Sequence, residues 1–83
     1  MLLERLKSAS KRTVGTKQTL KAVEKGTVRE VFVAADAEPQ VTRGLIEACE
    51  SAGVPVVMVE TMVELGKACG IDVGSASAAV LKE

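Results

Sequence analysis

The chain has 83 residues, so it holds one domain with a thin core. Hydrophobic residues make up 47% and charged residues 27%, with a formal net charge of zero, a balance that excludes a disordered polyelectrolyte. No apolar run approaches the roughly 20 residues that a bilayer requires, and Met1-Leu2-Leu3 passes at once into Glu4 and Arg5 without the apolar core of a signal peptide, so the expected location is the cytoplasm.

In chain order, Met1 to Lys7 reads as a short helix with Leu2, Leu3 and Leu6 along its apolar edge. Ser8 to Thr13 reads as a polar, basic connector, and Val14-Gly15 interrupts the pattern. Thr16 to Lys25 resumes as a helix that Gly26 stops. Thr27 to Ala35 is the clearest strand, because Val31 to Ala35 is apolar throughout and so suits burial on both faces. Asp36 to Pro39 starts a helix that runs to about Ala52, with Val41, Leu45, Ile46 and Cys49 as its apolar stripe and Gly53 as its stop. Val54 to Glu60 reads as a second buried strand. Thr61 can cap a helix from Met62 to Cys69, which Gly70 closes. Ile71 to Ser75 is a loop, and Ala76 to Leu81 is a last strand of small residues. Alternating helices and buried strands predict an α/β fold: a single-domain, three-layer α/β/α sandwich with a small mixed sheet spanning residues 1–83.

Neutrality overall conceals a split. Residues 1–30 carry eight cations against three carboxylates, and residues 31–83 carry three against eight. The asymmetry fits a polyanion met by one side of the molecule, or a chance scatter of solvated charge.

The chemistry available argues against an enzyme. The chain has no histidine, and no nucleophile elbow, phosphate-binding loop or dinucleotide fingerprint is present. No cofactor or small-molecule substrate is expected. Asp36 and Glu38 could be read as paired carboxylates, or Asp36 as a turn or capping residue. Cys49 and Cys69, with no histidine to join them, cannot make a four-ligand zinc site and read as buried free thiols.

Gly15 to Gly26 carries more information. At about 100° per residue, Lys17, Lys21 and Lys25 fall on one arc of the helix with Gln18 at its edge, while Thr16, Leu20 and Val23 face the other way, toward a core. The helix start after Gly15 offers unpaired N–H groups to a phosphate, and Lys and Gln can read base edges in a major groove. A solvated lysine face is the competing reading. Phe32 is the single aromatic residue and lies within an apolar strand, which excludes modules that stack bases on exposed rings.

At this helix the chain resembles the kink-turn RNA-binding ribosomal protein family (the L-seven-Ae and L-thirty-e type), and is most similar to its short bacterial forms. Gly15-Thr16-Lys17-Gln18-Thr19-Leu20-Lys21 is similar to the L-thirty-e form of the motif. Ala34-Ala35-Asp36-Ala37-Glu38-Pro39, Gly53-Val54-Pro55-Val56-Val57, Glu64-Leu65-Gly66-Lys67-Ala68-Cys69-Gly70 and the closing small-residue strand follow in order and spacing. The resemblance implies a monomeric protein that binds a kink-turn, an RNA duplex bent sharply at a three-nucleotide bulge beside tandem sheared G·A pairs, and that stabilises the bent form, in association with the ribosome. Its RNA partner is then ribosomal or riboswitch-type, with no membrane. By position, Gly15, Thr16, Lys17, Gln18 and Lys21 meet guanine edges and phosphates, Lys25 the backbone one turn on, and Glu38 an extruded nucleotide. The loop of Ile71, Val73, Gly74, Ser75 and Ala76 packs on the other bulge nucleotides. Many members carry Asn-Glu in place of Lys17-Gln18, several a basic residue at Met62, and some Arg and Ile at Val73 and Ala76. The alternative is a same-fold accessory module that binds structured RNA or protein without kink-turn specificity.

Overall fold

A computed structural model describes residues 3–82. Eight elements follow one another: α1 (Glu4–Ser8), β1 (Arg12–Val14), α2 (Thr16–Lys25), β2 (Val28–Ala34), α3 (Pro39–Ala52), β3 (Val56–Val59), α4 (Met62–Ala68) and β4 (Ser77–Leu81). The four strands form one mixed sheet in the order β1-β4-β2-β3. β2 and β3 run parallel through the α3 crossover, and β4 runs antiparallel to both β1 and β2.

Strand alternation sorts the core into two layers. Phe32, Ala34, Ala78 and Val80 point to one face, where Leu6 of α1 and Leu65 and Ala68 of α4 cover them. Val31, Val33 and Ala79 point to the other face, where Ala22 and Val23 of α2 and Leu45 and Cys49 of α3 cover them. The chain is thus the α/β/α sandwich expected, with Phe32 fully buried at its centre.

Four local expectations need correction. The stretch read as a connector contains β1, whose Arg12-Thr13-Val14 pairs with Val80, Ala79 and Ala78. An exposed arginine and a half-buried threonine carry no strand pattern of their own, and pairing with β4 decides the conformation. β3 is shorter than expected and is an edge strand, so Met58 is 51% exposed and only Val59 is buried. In α3 Leu45 and Cys49 are buried and Ile46 packs on the same core layer as expected, but Thr42 takes the buried place expected of Val41, which is turned outward at 46% exposure. Leu3, expected within the first helix, is its N-cap residue ahead of Glu4; Met1 and Leu2, assigned to the same helix from the sequence, lie outside the described residues.

Caps explain where several elements stop and start. The Thr61 hydroxyl accepts from the Glu64 N–H at 3.1 Å, as an N-cap should. The Gly26 N–H donates to the Val23 carbonyl to close α2. Arg12 spans two helix ends, donating to the Leu6 carbonyl of α1 at 3.1 Å and the Cys69 carbonyl after α4 at 3.1 Å. Among the described residues no helix is long and apolar enough to cross a membrane.

Candidate nucleic-acid interface

Topology gathers the sequence motifs at one end of the sheet. β1, β2 and β3 all point their C-terminal ends the same way, and β4 begins there. Four connections therefore meet: Gly15 into α2, Asp36 to Glu38 into α3, Thr61 into α4, and residues 71–76 into β4.

Hydrogen bonds tie the four together. The Gly15 N–H donates to the Ser77 carbonyl at 2.8 Å, and the Thr16 and Ser77 hydroxyls share a hydrogen bond. The Ala34 N–H donates to the Ala76 carbonyl at 2.9 Å, and the Ala35 N–H to the Val59 carbonyl at 2.7 Å. The Met62 N–H donates to Asp36 Oδ1 at 2.8 Å, and the Ser75 N–H to the Met62 carbonyl at 3.0 Å. Asp36 is thus a capping residue, but for α4 rather than for the helix that follows it. Its carboxylate accepts there, while that of Glu38 accepts from Gln40.

Gly15 turns the chain into α2 with φ +97° and ψ 147°, a region that side chains with a Cβ rarely enter. As an N-cap it offers no side-chain acceptor, so no side chain caps α2. The first-turn N–H groups of Thr16, Lys17 and Gln18 have no intrahelical acceptor and lie at the positive end of the helix dipole. Behind them the Thr19 hydroxyl, fully buried, bonds the Thr13 hydroxyl at 2.8 Å and anchors the helix start to β1.

Lys17, Gln18 and Lys21 are exposed on the first turns of α2, as expected. Lys25 is also exposed but sits on the last turn, about 13 Å along the helix from Thr16, and does not join the cluster. Glu38 is exposed and accepts from Gln40 Nε2 at 2.9 Å. In the 71–76 loop the residues divide. Val73 is 70% exposed, and Gly74 lies against Met62, while Ile71 packs on the core. Ser75 is buried, its hydroxyl donating to the Ser77 carbonyl at 2.7 Å, so its side chain shapes the loop. Ala76 is half-buried and ties the loop to β2 through its carbonyl.

Sequence reasoning overlooked Thr13, Thr19 and Ser77, whose hydroxyls fix the start of α2. A threonine within a lysine-flanked helix and a serine in a small-residue strand carry no local signal of burial. It also overlooked Val63, 58% exposed at the start of α4 beside the same loop end. Burial raises the thiols of Cys49 and Cys69 above their ordinary value, with Arg12 opposing the rise at Cys69, so both stay protonated and inert near neutrality. Among the described residues no group of carboxylate and thiol side chains is placed to hold a metal ion.

The profile of the Ribosomal protein L7Ae/L30e/S12e/Gadd45 family matches residues 1–83. The chain belongs to this family. It is 55% identical over 69 residues to an RNA-binding protein of Caldanaerobacter subterraneus subsp. tengcongensis, covering 83% of this chain and 84% of the relative. It is 45% identical over 82 residues to an RNA-binding protein of a Geobacillus species, covering 99% of this chain and all of the relative. The solved 15.5 kD RNA binding protein of Giardia lamblia superposes with a TM-score of 0.87 at 34% identity, over 99% of this chain and 69% of that one. The L7Ae/L30e membership agrees with the resemblance carried by Gly15 to Lys21 and the four motifs that follow it.

Proposed function

We propose that this chain is a non-enzymatic RNA-binding protein that recognises a kink-turn and holds it bent. The observation that carries the reading is the meeting of four connections at one end of the sheet, with Gly15 to Lys21 at its centre. Each part offers a different contact. The uncapped first turn of α2 suits a phosphate. Lys17, Gln18 and Lys21 supply donors for guanine edges in a groove widened by sheared pairs. Glu38, freed from Gln40, accepts from an extruded base. Exposed Val73, with Val63 nearby, gives an apolar seat for unstacked bulge nucleotides in a protein with no exposed ring to stack on them.

The local charge is nearly balanced, since Asp36, Glu38 and Asp72 neighbour Lys17 and Lys21. Affinity then depends on hydrogen bonding and packing more than on counterion release, and the three lysines Lys17, Lys21 and Lys25 predict a log–log salt slope of about 2.1 to 2.7. A protein that prefers the bent RNA shifts the RNA toward it. Relatives named as RNA-binding and a family named for ribosomal proteins support an RNA partner, and on this reading the chain acts as a cytoplasmic monomer on ribosomal or riboswitch-type RNA.

The test is energy transfer between dyes on the two ends of a kink-turn, titrated with protein at low magnesium, beside a straight duplex of equal length in a gel shift. Transfer should rise to a plateau and the straight duplex should bind at least tenfold more weakly. Flat transfer at saturation, or equal binding of both RNAs, removes kink-turn specificity and leaves the accessory-module reading.

A further inference from the structure

The end of the sheet away from the proposed RNA face carries a basic pocket of about 190 Å³, lined among others by Arg5, Ser10, Lys11, Arg29 and Glu30. Three separate elements build it. Arg5 comes from α1, Lys11 from the turn before β1, and Arg29 and Glu30 from the start of β2. Leu81 donates its N–H to the Lys11 carbonyl at 3.0 Å, and Lys82 its N–H to the Thr27 carbonyl at 2.8 Å, so a further cation lies at the same end.

Two features show that the pocket is constructed rather than left over. First, β2 carries an irregularity between Val28 and Glu30, where two steps on β2 oppose one on β4. Such a bulge re-aims side chains. Here it lets Val28 and Val31 both enter the α2–α3 layer of the core while Arg29 and Glu30 both line the pocket. Second, Glu30 is buried, and Arg5 grips it with two charge-assisted hydrogen bonds, Nε to Oε2 at 2.6 Å and Nη2 to Oε1 at 2.9 Å. The pair fixes the plane of a guanidinium whose side chain is 66% exposed. Its Nη1 has no partner among the described residues and remains for a ligand. Glu30 neutralises one charge, and Lys11 and Arg29 leave the pocket cationic.

We propose that this pocket binds a phosphate of a second RNA segment, so that one protein contacts RNA at both ends of its sheet. A concave site with a pre-oriented guanidinium, two further cations and the Ser10 hydroxyl matches a tetrahedral phosphodiester. The length of β2 separates it from the Gly15 end by about 20 Å, too far for one phosphate group to serve both and within reach of a neighbouring strand. An RNA partner fits better than an anionic membrane, because the cations ring a recess and do not form a flat face that could lie on lipid headgroups.

The test saturates the full chain with a minimal unlabelled kink-turn and titrates a fluorescein-labelled 12-nucleotide oligouridylate, read by anisotropy. A K11A/R29A double variant is compared; it spares the Arg5–Glu30 pair, and its thermal midpoint reports folding. Wild type should bind the oligouridylate in the presence of the kink-turn. The double variant should lose at least fivefold in that affinity and about 1.4 in salt slope while keeping kink-turn affinity within twofold. Failure of saturated wild type to bind the oligouridylate overturns the inference, as does equal binding by the folded double variant. So does binding to phosphatidylserine vesicles that K11A/R29A abolishes without any oligouridylate binding. If the kink-turn itself does not bind, kink-turn recognition at the Gly15 end falls, and the same oligouridylate titration on free protein still decides whether the second pocket holds RNA.

Discussion

Gly66 offers the sharpest test of how the 71–76 loop is held. It lies inside α4, and a Cβ built there would overlap the Val73 carbonyl oxygen and come within 3.1 Å of the Val73 carbonyl carbon and 3.2 Å of Gly74 Cα. All three obstacles are backbone, so no rotamer change relieves them. Gly66→Ala must push the loop off α4 by about 1 Å to restore ordinary contact. Overpacking of this kind costs about 1–3 kcal/mol, and the rigid obstacle argues for about 3. Replacing glycine by alanine inside a helix returns about 1 kcal/mol. The net loss is about 2 kcal/mol, or a fall in thermal midpoint of about 8–16 °C for a domain of this size. Gly44 is the control. It is exposed in the middle of α3, and a Cβ added there would meet nothing within 4 Å, so Gly44→Ala should gain about 1 kcal/mol and raise the midpoint by about 4–8 °C. Calorimetry of the two variants beside wild type gives the answer. Kink-turn affinity, measured well below both midpoints, should weaken several-fold in Gly66→Ala alone. A Gly66→Ala protein that melts at or above wild type and binds RNA normally would refute the idea that α4 clamps the loop.

Three further outcomes are expected. Gln18→Ala and Lys21→Ala should each cost about 1–3 kcal/mol of discrimination between tandem G·A pairs and Watson–Crick replacements, while Lys25→Ala weakens all RNAs alike; competition binding with the paired RNAs shows a misplaced reading face if the pattern is reversed. Thr61→Ala and Asp36→Ala each remove an acceptor from the first turn of α4 and should each lower stability by about 1 kcal/mol in urea titration, and unchanged midpoints would mean that those hydrogen bonds are idle. Cys49 and Cys69 should resist Ellman's reagent in the native protein at pH 8 and react fully in urea. Because burial raises the folded thiol above the ordinary value of 9.0, stability from the protonated form is present below that pH and should decline as pH rises past it, when unfolded thiols ionise first; rapid native labelling would contradict the burial.

The long elements were legible because their signals are local. α2 and α3 end at glycines, α3 begins at a proline, α4 begins at a capping threonine, and β2 is apolar almost throughout, so propensity and pattern agree with the packed structure. The lysines and glutamine of α2 were legible for the same reason, since helical spacing alone puts them on one arc.

What pattern could not supply was anything set by a partner distant in sequence. β1 is a strand because β4 lies beside it, not because Arg12-Thr13-Val14 favours one. β3 is half-exposed because it is an edge, a fact about strand order. Thr19 and Ser77 are buried because hydroxyls from other elements satisfy them, and a lone hydroxyl residue gives no sign of which neighbour will come. The same holds for Asp36 across to Met62 and for Arg5 across to Glu30, pairs 26 and 25 residues apart. Composition and periodicity determine which segments are helices and which faces are apolar. Only the mixed sheet, by pointing three strand ends and one strand start in the same direction, decides that Gly15, Asp36, Thr61 and the 71–76 loop share one end while Arg5, Lys11 and Arg29 share the other.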